Sequence, residues 1–201
     1  MILIGYSGHA FVAYGILRAA GKTVSGYCDV QEKENNPFSL AYHGSENSAT
    51  ALEALQQHGF FIAVGDNRLR KKIYENLLQK NILPANAIHP SSVIDGSAHL
   101  AANGVMIAAH VSINPLAVVG TGAICNTSCI IEHECVVGEF AHIGPGAVLC
   151  GNVKIGAGSF VGANAVIKQG ITVGENVMIG AGAVVVKDVP DGVTVIGVPA
   201  K

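Results

Sequence analysis

A chain of 201 residues has room for one large domain or two small ones, and is long enough to bury a core without disulfides or metals to brace it. Twelve Lys and Arg against fourteen Asp and Glu give a formal charge of -2, without the cationic excess that would hold a phosphate backbone or an anionic membrane, which argues against a nucleic-acid partner. Half of the residues are hydrophobic but only 5% are aromatic, so burial must come from Val, Ile, Ala and Leu with 25 glycines between them, a composition suited to small repeated β-units.

In chain order, Met1-Ile2-Leu3-Ile4 reads as a short apolar strand, lacking the basic region and cleavage site of a signal peptide. The turn Gly5-Tyr6-Ser7-Gly8 follows, then an apolar-periodic segment over residues 9–20 and a second strand over 24–28. Ser48 is the expected N-cap of a helix over 49–58, and residues 60–64 form a third strand. A helix is expected over 68–80, with Ile73, Leu77 and Leu78 on one face. Strand-helix alternation of this kind predicts a small parallel α/β sheet over residues 1–85. The longest apolar runs fall far short of the roughly 20 residues of a membrane helix.

After His89-Pro90 the period changes to six. Stepping by six from Ile107 to Ile179 meets thirteen apolar residues in a row, and four positions after each comes a small or β-branched residue, with Ile171 the largest. Such a hexad is one flat face of a triangular prism, and three hexads make a coil of 18 residues whose neighbours must stack to bury their apolar area. Hexads led by Ile94 and Leu100 join the series if one residue is inserted before Ile107. Two corners carry Gly directly after the leading residue, with Asn126 in its place once, and the glycines are expected to supply a permissive backbone. The third carries Asn114, Glu132, Cys150, Lys168 and Val186, and is expected to face a subunit boundary. The fold class is therefore an α/β N-terminal domain (1–85) followed by a parallel β-helix of hexapeptide repeats (86–201).

The five cysteines are odd in number and form no C-x-x-C, against a disulfide framework or zinc knuckle and in favour of a reducing cytoplasm. Cys125, Cys129 and Cys135 fall on inward positions, where Cys acts as a small hydrophobe. One cluster looks chemical: Glu132-His133-Glu134 places an imidazole between two carboxylates. An imidazole with an ordinary pKa of about 6.5 can take a proton from an amine or hydroxyl, and a carboxylate can orient it. By itself the same triplet also reads as a solvated turn. At the N-terminus, a Ser7-Gly8 turn feeding a helix can offer N–H groups to a phosphate, and Asp29 stands at ribose-binding spacing after it. His43, His58 and His99 read as surface or loop residues, and Lys168 as a solvated cation.

The whole chain resembles the hexapeptide-repeat acyltransferases that modify nucleotide-linked sugars, the sialic acid O-acetyltransferase and UDP-4-amino-sugar N-acetyltransferase group. The resemblance rests on Gly5-Tyr6-Ser7-Gly8-His9, Gly65-Asp66-Asn67 with the following residues to Lys72, His89-Pro90, the stretch from Asn126 to Cys135, and Gly197-Val198-Pro199-Ala200. It implies that the helix is left-handed, that His133 is a general base strengthened by Glu134, and that acetyl-CoA is the co-substrate. His142, from a neighbouring subunit, and the backbone of Ala163 and Ala181 would hold acetyl-CoA. Ser7, Gly8, His9, Asp29 and Gly65 would grip the nucleotide-sugar, with Asn126 and Glu132 also on the substrate side. Tyr6 is a departure, since a small residue is usual there. The expected function is acetyl transfer to the amino group of a UDP-linked 4-amino deoxy-sugar by a cytoplasmic homotrimer. The alternatives are sugar O-acetylation, or a metal-dependent prism of carbonic-anhydrase type using His110, His133 and His142; the preferred reading has no metal.

Overall fold

The computed structural model describes residues 1–201. Strands β1 (Ile2–Ile4), β2 (Gly26–Cys28), β3 (Ala41–Tyr42) and β4 (Phe60–Ile62) form a parallel sheet in the order β3-β2-β1-β4. Every residue of β1 and β4 is buried, which is why both are continuous apolar runs without alternation: a parallel sheet is covered on both faces. Helix α1 (Gly8–Ala19) covers one face with Ala10, Ala13, Ile16 and Leu17, packed with Leu3, Tyr27 and Phe61 in a core continuous with the prism. Helices α2 (Ala49–His58) and α3 (Asn67–Leu78) cover the other, where Leu55, Ile73 and Leu77 meet Ile2, Ile4 and Phe60.

Ser48 caps α2 as expected, its hydroxyl accepting the Ala51 N–H at 3.2 Å. Asp66 does the same for α3, accepting from Leu69 N–H at 2.8 Å, and so starts that helix one residue earlier than its apolar pattern indicates. The buried face of α3 also differs from expectation. It is Arg70, Ile73 and Leu77, while Leu78 is 46% exposed. Helical spacing offers Leu77 and Leu78 equally, and the sheet takes only one of two adjacent side chains.

From Ala87 onward the chain winds as a left-handed β-helix whose two-residue strands stack into three parallel sheets of five, six and seven strands. The first coil pairs with the second at an offset of 19 residues (Ile88 with Ile107, Ile94 with Ile113, Leu100 with Val119), and the central coils at 18 (Ile113 with Ile131). The inserted residue before Ile107 is thus present, accommodated around Gly104, which adopts a left-handed φ of 73°. The small position four after each leading residue is buried throughout, and its one polar occupant, Ser159, donates to Gly174 O at 2.7 Å and accepts from Val177 N–H at 2.9 Å. A last, shorter turn pairs Met178 with Thr194 and closes the prism.

The corner glycines have a different purpose from the one expected of them. Left-handed backbone occurs three positions after the leading residue, at Ser128, Glu134, Phe140, Asn152 and their equivalents, not at Gly120, Gly138, Gly144 or Gly162. Those glycines are needed for close approach instead: a Cβ on Gly138 would lie 2.7 Å from Ala157 N, and one on Gly162 2.5 Å from Ala181 N. Adjacent coils touch backbone to backbone at these two corners.

Candidate active site

His133 stands on the turn after one prism sheet. Its backbone is held between coils, the carbonyl accepting from Asn152 N–H at 2.8 Å while Glu134 N–H donates to Pro115 O at 3.0 Å. Glu134 takes the left-handed φ of 59°, which turns its carboxylate back onto the ring, and Oε2 lies 3.0 Å from His133 Nδ1. An ionised carboxylate only accepts, so Nδ1 carries the proton and Nε2 is the free base. One coil further on, Gly151 forms the floor beneath the ring: a Cβ there would lie 2.5 Å from both Cε1 and Nε2. The two side chains remain open to solvent, 51% and 57% exposed. Glu132, the preceding residue, is half-buried.

His142 is a different kind of histidine. It projects from the sheet that faces the N-terminal half and is 7% exposed, packed edge-on against Phe160 and 5.9 Å from the ring of His9. Asn126 Oδ1 accepts the Thr127 N–H at 2.8 Å, so its amide nitrogen faces His142 Nε2 at 3.0 Å and donates to it. Burial, aided by Arg70 and His9 and opposed by the Gly65 carbonyl, pushes the His142 pKa down to about 3; burial and Arg70 push that of His9 down to about 4. Both rings are therefore neutral at physiological pH. Each also has one buried nitrogen without a partner, Nε2 of His9 and Nδ1 of His142.

Arg70 organises this junction. It is 1% exposed and has no carboxylate partner in contact; its guanidinium instead donates to the carbonyls of Gly122 (2.8 Å), Phe140 (2.9 Å), Val64 and Gly65 (both 3.1 Å) and to Asn67 Oδ1 (2.8 Å). Asn67 in turn donates to Gly158 O at 3.0 Å. Gly122, Phe140 and Gly158 are the left-handed residues of one corner in three successive coils, and the amino end of α3 docks along it.

At the other side of the junction, a cavity of about 370 Å³ opens at the carboxyl ends of β1 and β4, lined by the turn Gly5 to Ser7 with Asp29, Gly65 and Asp66. Ser7 precedes α1 but its hydroxyl caps no backbone N–H. Asp29 already has partners for both oxygens: Oδ2 accepts Tyr6 N–H at 2.9 Å, and Oδ1 accepts Val30 N–H at 2.7 Å and pairs with Lys33 at 3.1 Å. The unusual Tyr6 directs its ring away from the turn, stacked 4.2 Å from Tyr27 and 2% exposed. No three His, Cys, Asp or Glu side chains come together as a metal site, so His110, His133 and His142 form none.

Comparison with known proteins adds to this geometry. The PglD N-terminal domain model matches residues 1–77, and the bacterial transferase hexapeptide model (six repeats) matches 134–169 and 152–187. A GDP-perosamine N-acetyltransferase of Escherichia coli O157:H7 is 33% identical over 96 residues, which span 48% of this chain and 43% of that protein. A perosamine N-acetyltransferase from Caulobacter crescentus, solved as a histidine-to-asparagine mutant with CoA and GDP-perosamine, superposes with a TM-score of 0.92 at 38% identity, over all of this chain and 94% of that one. The acetyltransferase domain of PglB from Neisseria gonorrhoeae FA1090, with acetyl coenzyme A, gives 0.91 at 34% identity over 100% and 97%. The chain belongs to the hexapeptide-repeat N-acetyltransferases of the GDP-perosamine and PglB type.

Within this acetyltransferase fold, the sequence-derived residues divide into four places. His133, Glu134 and Glu132 share the open turn. Asn126, His142, His9 and Gly65 meet at the buried junction, and Ser7, Gly8 and Asp29 lie at the mouth of the α/β half. Ala163 and Ala181 stand one coil apart at the glycine corner that also carries Asn126, each with a backbone N–H that donates to no acceptor in the chain. Arg70, Asn67 as a clamp and Gly151 escaped the sequence reading. Arg70 was detectable as a charged residue in register with Ile73 and Leu77, and Gly151 as the residue 18 positions after His133.

Proposed function

We propose that the protein transfers an acetyl group from acetyl-CoA to the amino group of a nucleotide-linked 4-amino deoxy-sugar, with His133 as general base. The observation that carries this reading is the His133 Nδ1 to Glu134 Oε2 contact of 3.0 Å, which leaves Nε2 as the unprotonated nitrogen of a half-exposed ring on a prism of the N-acetyltransferase family. Nε2 removes a proton from the acceptor amine as its nitrogen attacks the thioester carbon. The C–S bond then breaks and the proton passes from the imidazolium to the departing sulfur. The unpaired N–H groups of Ala163 and Ala181 suit the amide-bearing arm of acetyl-CoA, and neutral His142 offers hydrogen bonding without charge. The relatives' complexes with CoA or acetyl coenzyme A and with GDP-perosamine support both substrates. Sugar O-acetylation finds no such support among them.

The working unit is a homotrimer. The outer face of one prism sheet presents Ile130, Val148, Val166 and Val184, an apolar stripe half-buried in the single chain and bordering the corner of Glu132 and His133. A neighbour packed there also covers the exposed His133, excluding water from the base. All five cysteines are unpaired, which fits a reducing cytoplasm, and no helix is long and apolar enough to cross a membrane. The reading is tested by measuring CoA release with a nucleotide-linked 4-amino sugar and with the free amino sugar. The nucleotide-linked acceptor should be preferred in kcat/KM by about 10²-fold or more, because binding energy at the remote nucleotide is spent at the reacting centre. Equal values for the two acceptors would remove any substrate role for the α/β half.

A further inference from the structure

The cavity at the end of β1 continues beyond the turn. Its wall passes from Ser7 and Asp29 to Lys33, Glu46, Leu69 and Ile73, and the last three also line a recess of about 190 Å³ with Lys72 and Asn76. Together they form one groove where the sheet order places β1 between β2 and β4, the switch point at which ligands lie in open parallel sheets. The Ser7 end offers the amino end of α1 and the Lys33 ammonium, which suit a diphosphate. The far end has another chemistry. Leu69, 48% exposed, and Ile73 make an apolar floor. Above it the half-buried Glu46 carboxylate is held in place, Oε2 accepting from the Ser45 hydroxyl at 3.3 Å and Oε1 from the Asn47 amide at 3.2 Å. Lys72 stands beside it as a donor, while the Asn76 amide donates to Asn47 Oδ1 and its carbonyl accepts from Lys80 at 2.9 Å.

We propose that the Glu46 end of this groove is a nucleobase site that selects guanine over uracil. Guanine presents N1–H and the 2-amino group side by side, a pair of donors that a carboxylate accepts in bidentate fashion. Its O6, next along the same edge, meets the Lys72 ammonium. Uracil has a single N–H between two carbonyl oxygens, both of which Glu46 repels. Leu69 and Ile73 give either base an apolar surface, so the discrimination lies in the carboxylate. The inference rests on reading the α/β half as the nucleotide-sugar site, and it replaces the uridine expected from the sequence with guanosine.

The test is calorimetric titration of the full-length protein and of Glu46→Gln with GDP, inosine diphosphate and UDP. Wild-type protein should bind GDP about 10-fold or more tighter than UDP, and inosine diphosphate, which lacks the 2-amino group, should fall between them. Glu46→Gln should weaken GDP about 10-fold or more, leave UDP within about twofold, and erase the difference between GDP and inosine diphosphate. Equal losses for GDP and UDP, or a difference between GDP and inosine diphosphate that survives the substitution, overturn the assignment. The wild-type series needs no variant: UDP binding as tightly as GDP overturns base selection and leaves acetyl transfer to a nucleotide sugar standing. If none of the three binds and no nucleotide-linked sugar is acetylated, both readings fall.

Discussion

Gly151 shows how a residue without a side chain sets the geometry of one that has chemistry. Its φ is not in the left-handed region, so Ala fits the backbone there, but the added Cβ would lie 2.5 Å from His133 Nε2 and drive the ring off its floor. Gly151→Ala should therefore lower kcat by about 10-fold or more while thermal stability and the KM for acetyl-CoA stay close to wild type, since a displaced base costs rate and not binding. His133→Ala should lower kcat by about 10²- to 10⁴-fold, the usual worth of a general base. Steady-state kinetics beside a thermal melt separate the two outcomes, and wild-type kcat in Gly151→Ala would mean that the ring has room to move without consequence. The contrast between His133 and His142 belongs to the same scale. Flanking carboxylates mark His133 in the sequence, but the burial of His142 is not written in its neighbours; it comes from the layer of N-terminal chain that covers it.

At the scale of elements, α3 joins the two halves through one helix turn. Left-handed backbone at Gly122, Phe140 and Gly158 presents carbonyls along one corner, and Arg70 and Asn67 bond to them. Tyr74 adds an edge-on contact with Phe140 at 5.4 Å. Arg70→Met keeps the length and apolar stem but abandons four carbonyls, two of them in fully buried bonds, at a cost of about 2–4 kcal/mol. The expected outcome is a lower denaturation midpoint, together with faster amide exchange in α3 than in the prism coils; uniform exchange across both would mean that the clamp does not govern docking. Lys in its place should not restore stability, because an ammonium lacks the planar fork that serves several acceptors at once.

For the whole molecule, the neutral histidine pair at the junction sets a dependence on pH. His9 and His142 titrate near 4 and 3 in the folded protein but near the ordinary 6.5 when unfolded. Between those values the unfolded chain binds more protons, so stability is full above pH 6.5 and falls as pH drops through 4 towards 3. From pH 6.5 to 5 each ring accounts for at most about 2 kcal/mol. Urea midpoints at pH 7 and pH 5 should show the loss, and a His9→Gln, His142→Gln double variant should flatten it. A midpoint as pH-dependent in the double variant as in wild type would assign the acid sensitivity to other groups.

Periodicity made most of the architecture readable in advance. A six-residue repeat with a small residue at a constant place permits one stacked prism, and apolar runs spaced by amphipathic helices permit a covered parallel sheet. Both patterns follow from local burial, which recurs identically in every repeat. The edge strand Ala41–Tyr42 had no such signal, since two exposed or half-exposed residues carry no pattern. The corner glycines were visible as glycines, but whether a glycine serves a positive φ or a close approach depends on what passes over it one coil away. The same holds for the site. Glu132-His133-Glu134 announces itself because imidazole and carboxylate are neighbours in the chain. The meeting of His9, Asn126, Arg70 and His142, and the groove that ends at Glu46, exist only once the α/β half is docked on the prism, because the burial, carbonyls and cavity walls that define them come from segments far apart in the chain.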